Sequence, residues 1–137
     1  MMVGIKVGSI VDEVGSASFL NCFFSTVTAL LEDGKRGARF PILSCFYQGY
    51  VHANKVGHLL GEVRVVRDEL KKYPPTAVVW DLDDRSVLPP WGGNISADIK
   101  SMADYFVTST GRDLFDLMFE ALDEACEKNI DVTIVDY

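Results

Sequence analysis

Cysteine and histidine are both scarce. The 137 residues hold three cysteines, Cys22, Cys45 and Cys126, far apart and odd in number. No C-x-x-C pair exists, which argues against a zinc site or a thioredoxin-like redox motif. Cys22 and Cys126 fall on apolar helical patterns, where a free thiol behaves as a small hydrophobe, and the expected compartment is a reducing cytoplasm. The two histidines, His52 and His58, are six apart, whereas metal pairs on a helix are three or four apart, so both read as surface residues. No metal or cofactor is expected. Long apolar runs are lacking too: none approaches the roughly 18 residues of a membrane span. The start, Met1 to Lys6, has neither the basic opening nor the long apolar stretch of a signal peptide. Walker loops, G-x-S-x-G elbows and G-x-G-x-x-G fingerprints do not occur.

Positive charge is in deficit. Thirteen Lys and Arg stand against 20 Asp and Glu, a net charge of −7. Such a surface repels phosphate backbones, so direct nucleic-acid binding is not expected. The same charge favours solubility and suits a basic protein partner. Hydrophobic residues at 48% and charged residues at 24% are those of a soluble globular protein. Without repeats or linkers, the chain reads as a single domain over residues 1–137.

Periodicity then supplies the elements. Residues 2 to 10 read as a strand, with Gly4 and Gly8 marking a bulge or close approach. Gly15 to Ser18 supplies capping hydroxyls for a helix carrying Phe19, Leu20, Phe23, Phe24, Val27, Leu30 and Leu31 on one face. A short helical piece over 42–46, opened by Pro41, follows. The longest helix spans 52–73, with a Val56, Leu59, Leu60, Val63, Val66 and Leu70 stripe. Gly57 and Gly61 on one of its faces suggest close approach of another backbone. Residues 76 to 82 read as the clearest strand, a short helical piece ends near Met102, and 105–108 reads as another strand. A helix from Thr110 to about Glu127 and a strand over 131–135 complete the order. The expected fold is α/β or α+β: a small mixed sheet of about four strands with three main helices packed on it.

Two readings of function follow from the motifs. V-V-W-D-L-D-D at 78–84 resembles the first motif of haloacid-dehalogenase-like phosphatases. There Asp81 would attack phosphorus, Asp83 would move protons, magnesium would neutralise charge, Thr108 and Lys128 would bind phosphate and Asp136 would hold the metal. Arg85 stands where that motif usually has Thr or Val, three-fifths of the chain precedes it, and aspartates at a strand end also serve as turn formers. Trp91, in a loop bounded by proline and glycine, is either tucked inward or offered to a partner. Asp81, Asp83, Asp84 and Asn94 would form its polar rim, with Tyr47 and Tyr50 as a second exposed aromatic pair.

Six segments, taken together, resemble one bacterial family. They are V-G-I-K-V-G-S-I at 3–10, G-S-x-S-F at 15–19, R-F-P at 39–41, V-V-W-D at 78–81, P-P-W-G-x-N-I-S at 89–96 and Y-F-V-T-S-x-G-x-D-L-F at 105–115. The chain is similar to the polymorphic-toxin immunity proteins of the immunity protein 70 family. The resemblance implies a small cytoplasmic protein, not an enzyme, that binds the C-terminal domain of a toxin encoded beside it and blocks it. It implies neither catalytic nor contact residues. Net −7 fits a basic toxin such as a nuclease, and the expected contact set is Trp91, Asp83, Asp84, Asn94, Tyr47 and Tyr50.

Overall fold

The computed structural model describes residues 1–90 and 95–137. Its sheet has four strands: β1 (Met2–Val7), β2 (Ile10–Ser16), β3 (Tyr50–Val51) and β4 (Val132–Asp136). Their order is β2-β1-β4-β3 and every pairing is antiparallel. The helices are α1 (Ala17–Leu31), α2 (Pro41–Tyr47), α3 (Val56–Leu70), α4 (Met102–Tyr105) and α5 (Leu114–Lys128). This is an α+β fold.

The first strand reading, 2–10, resolves into a hairpin. Gly8 adopts φ +62°, and with Ser9 it forms a two-residue turn that returns the chain as β2. Val3, Ile5, Val7 and Val132 alternate onto one buried face, together with Val14 at a bulge in β2. α1 and α5 lie against that face, and α3 packs across both.

Each main helix has a local cause. Ser16 caps α1 by accepting the Phe19 N–H at 3.1 Å, and Asp113 caps α5 by accepting that of Phe115 at 2.9 Å. Asn129, in the left-handed region, ends α5. The core is aromatic: Phe23 meets Phe106 and Phe115 edge to face at 5.2 and 5.6 Å. All three rings are fully buried, worth about 2–3 kcal/mol each in transfer free energy.

α2 has no side-chain cap of its own; two buried glutamates from other elements do that work. Glu62 of α3 accepts the N–H groups of Ile42 and Leu43, and Glu32, at the end of α1, accepts those of Arg39 and Phe40. Arg39 in turn grips Glu69 of α3.

Three expectations are corrected. Residues 76–82 form no strand: a 3-10 turn covers Pro75–Ala77, and the chain beyond it is irregular. The Thr26 hydroxyl donates to the Val79 carbonyl at 3.1 Å and accepts the Val79 N–H at 3.0 Å, doing for one residue what a neighbouring strand would do. Residues 105–108 do not form a strand either. α4 ends at Tyr105, and a tight loop follows, closed by a single bridge between Val107 and Asp113. Nor do the α3 glycines admit another backbone. A Cβ on Gly57 would lie 3.7 Å from the Cys126 sulfur, and one on Gly61 would meet nothing within 4 Å.

Candidate functional site

Of the residues expected to contact a partner, the four that are described do not gather into one patch. Asp83 and Asp84 are exposed on a loop strapped to α1, where the Ser25 hydroxyl accepts the Leu82 N–H at 3.0 Å. Within that loop Asp81 accepts the Asp83 N–H at 3.0 Å. Asp84 accepts both the Ser86 hydroxyl and its N–H, which hold the Asp84 carboxyl below its usual range. Tyr47, at the end of α2, packs edge to face on Phe24 at 5.3 Å beneath the Arg36 guanidinium at 3.7 Å. Ser25 and Thr26 follow Phe24 by 100° and 200° around the helix. The acidic loop and Tyr47 therefore leave α1 on different sides, and Tyr50 lies on the sheet. Trp91 and Asn94 fall outside the described residues.

The phosphatase constellation is not assembled. Without a strand over 76–82, Asp81 does not stand at a strand end, and its carboxylate closes a turn. Lys128 pairs with Glu124 at 2.7 Å, and the Thr108 hydroxyl meets Thr110 at 3.1 Å and accepts the Arg112 N–H. Among the described residues no three His, Cys, Asp or Glu side chains are grouped to hold a metal. His52 and His58 are both exposed; His52 caps the turn at Ala53–Lys55, and His58 lies 3.2 Å from Glu62.

The sheet has a second face, and it is open. Register places Tyr50 beside Thr133, Thr133 beside Lys6 and Lys6 beside Val11 in one row across the strands. The next row holds Val135, Gly4 and Glu13. Gly4 is required here: a Cβ would lie 2.7 Å from Val11 Cγ1 and 3.3 Å from the Tyr137 ring, so both side chains cover it. Tyr50, Val11 and Tyr137 are 48%, 44% and 61% exposed.

Two carboxylates border this face, each fixed by two donors. Asp131 accepts the Tyr50 hydroxyl and the Ala53 N–H, both at 2.7 Å. Glu13 accepts the Ser109 hydroxyl at 2.7 Å and the Tyr137 hydroxyl at 2.9 Å. Those bonds hold both carboxyls below their ordinary range, and the hydrogen bond to Asp131 raises the Tyr50 phenol. Of this surface the sequence reading had only Tyr50. Val11 and Glu13 are two apart and so share one side of a strand, a signal that can be read only once the Gly8-Ser9 turn is seen. A third feature is a small apolar groove of about 180 Å³ beside α1, lined by Val3, Leu20, Phe24, Tyr47 and Ile134.

A family model described as Immunity protein 70 matches residues 5–134. The chain belongs to the immunity protein 70 family. No curated protein and no solved structure matches it. Several of the segments that resemble the family have structural duties in this member. R-F-P at 39–41 is the segment held by Glu32, Ser16 of the G-S pair caps α1, and Y-F-V-T-S at 105–109 opens the loop that leads into α5. Among the described residues, no helix is long and apolar enough to cross a membrane.

Proposed function

We propose that this member of the immunity protein 70 family is a non-catalytic, cytoplasmic inhibitor. It binds the C-terminal domain of a bacterial polymorphic toxin encoded beside it and neutralises that toxin. The observation that carries this reading is the family match over residues 5–134. The net charge of −7 supports a basic partner, for which a nuclease is the natural candidate, since its active site must attract phosphate.

Neutralising a toxic enzyme demands that almost none of it stays free. A nanomolar complex corresponds to about −12 kcal/mol, and such complexes bury roughly 1,600 Å² in total. Candidate contacts fall into rival sets: Tyr50 on the sheet, or Tyr47, or Asp83 and Asp84 with Trp91 and Asn94. An interface of ordinary size takes in only those that share a surface.

The test is co-purification with the neighbouring toxin domain, then titration of affinity and a growth assay with the active toxin. A stoichiometric complex that restores growth supports the proposal. Failure to form any complex with that domain sinks it.

A further inference from the structure

Given the immunity role proposed above, we infer that the outer face of the sheet is the docking surface. Its occupant is a toxin domain that presents arginine or lysine side chains around an apolar centre.

The four strands bury one face under α1 and α5 and leave the other with Val11, Val135, Tyr50 and Tyr137. Tyrosine is among the side chains most enriched at binding hot spots, because it offers a large apolar ring and a polar tip at small entropic cost. Here each phenol is already oriented by a carboxylate, Tyr50 by Asp131 and Tyr137 by Glu13. That leaves a flat ring beside an anion, an arrangement that suits a guanidinium, which can stack on the ring while it pairs with the carboxylate.

Charge specifies the partner further. On the outer face one basic side chain, Lys6, stands against Glu13 and, at the rim, Asp131, whereas Asp12 and Asp136 share the rows of Ile5 and Val3 on the other face. A second copy of this chain is a poor occupant, because it brings a second net charge of −7 against the first. A basic partner meets no such cost. Size limits the role of the face: three strand spacings by one strand length give about 15 by 17 Å, roughly a third of the ~800 Å² that one partner contributes. The face therefore supplies the anchoring centre, and the surrounding turns supply the rim.

The experiment titrates the catalytically inactivated toxin domain against wild type and four variants, with thermal melting as a check on folding. Tyr50→Ala/Tyr137→Ala removes both rings and is expected to weaken binding about 100-fold. Thr133→Arg deletes no hydrogen bond yet puts bulk and positive charge at the centre, with a similar expected loss. Lys6→Glu, on an exposed side chain, is expected to tighten binding several-fold, more at low salt than at high. Asp83→Lys/Asp84→Lys is expected to stay within a few-fold of wild type. If wild type binds and the sheet variants all bind within threefold of it, the docking surface is wrong while the immunity role stands. Loss confined to the Asp83 and Asp84 variant overturns it in favour of the loop. A wild-type dimer dissociated by Thr133→Arg overturns it in favour of self-association. If Thr133→Arg unfolds the protein, Lys6→Glu decides: tighter binding supports the face and unchanged binding overturns it. Absence of any wild-type complex removes the immunity reading itself, and this inference falls with it.

Discussion

The carboxylate of Glu62 accepts the backbone N–H of Leu43 at 2.8 Å, so a side chain from α3 starts α2. The same carboxylate takes the Ile42 N–H at 3.3 Å, and both amides are buried. Removing it strands two donors away from water, at about 1–3 kcal/mol each when nothing replaces it. Glu62→Ala is expected to lower stability by about 2–3 kcal/mol in urea unfolding. Glu62→Gln keeps one acceptor and should cost less. Equal losses for the two would mean that packing, not the acceptor, is what Glu62 contributes.

Gly4 and Gly61 should respond to alanine with opposite signs. At Gly4 the new methyl meets Val11 Cγ1 at 2.7 Å and the Asp12 carbonyl at 2.9 Å, and backbone cannot move aside easily. A loss of about 1–3 kcal/mol is expected. At Gly61, inside α3 and facing open space, alanine should add up to about 1 kcal/mol. Thermal melting of the two variants against wild type checks both signs.

The three thiols differ in reach. Cys126 is exposed, Cys45 is half-buried and Cys22 is buried, with burial pushing the Cys22 thiol up to about 12 against a weaker downward pull from Thr26. A thiol-reactive dye at neutral pH should label Cys126 first and Cys22 only on unfolding, because the thiolate is the reacting form. Mass spectrometry of a time course gives the order; early labelling of Cys22 would contradict this burial.

Acid should loosen the outer sheet face. Glu13 and Asp131 titrate in the fold below their ordinary values of 4.5 and 3.8, through the hydroxyls and the amide they accept. A lowered carboxylate adds stability that is complete above its unfolded value and is lost as pH falls through its folded one. The advantage of wild type over a Glu13→Gln/Asp131→Asn variant should hold steady above about pH 4.5 and shrink below it. Melting temperatures across pH 2 to 7 measure this. Since both groups face solvent, the effect is modest.

Long amphipathic patterns made most of this fold legible. The Phe19 to Leu31 stripe, the Val56 to Leu70 stripe and the run from Leu114 each form a helix, and the last strand lies within a residue of its expected place. Misreadings arose where tertiary context overrode local preference. Val78, Val79 and Trp80 have strand-like side chains, but the Thr26 hydroxyl takes the Val79 backbone and α1 serves as their neighbour. β3, at two residues, is too short for any pattern to show. The hairpin at Gly8-Ser9 was hidden because Ile10 and Val11 carry the β-branched composition of β1 past the turn. Of the outer face, residue type pointed only to Tyr50, whereas Glu13 meets Tyr137, and Asp131 meets Tyr50, through pairing of strands far apart in sequence.

That pairing also sets when the protein comes into being. β1 and β4 lie side by side at the middle of the sheet, so the earliest of the four strands waits for the latest of them. On the ribosome the helices can form in turn, but the sheet cannot close until residue 136 has emerged. In the immunity role proposed above, protection would then begin only once β4 is available to pair. A nascent fragment ending before Val132 would offer neither the central ladder nor the face built upon it.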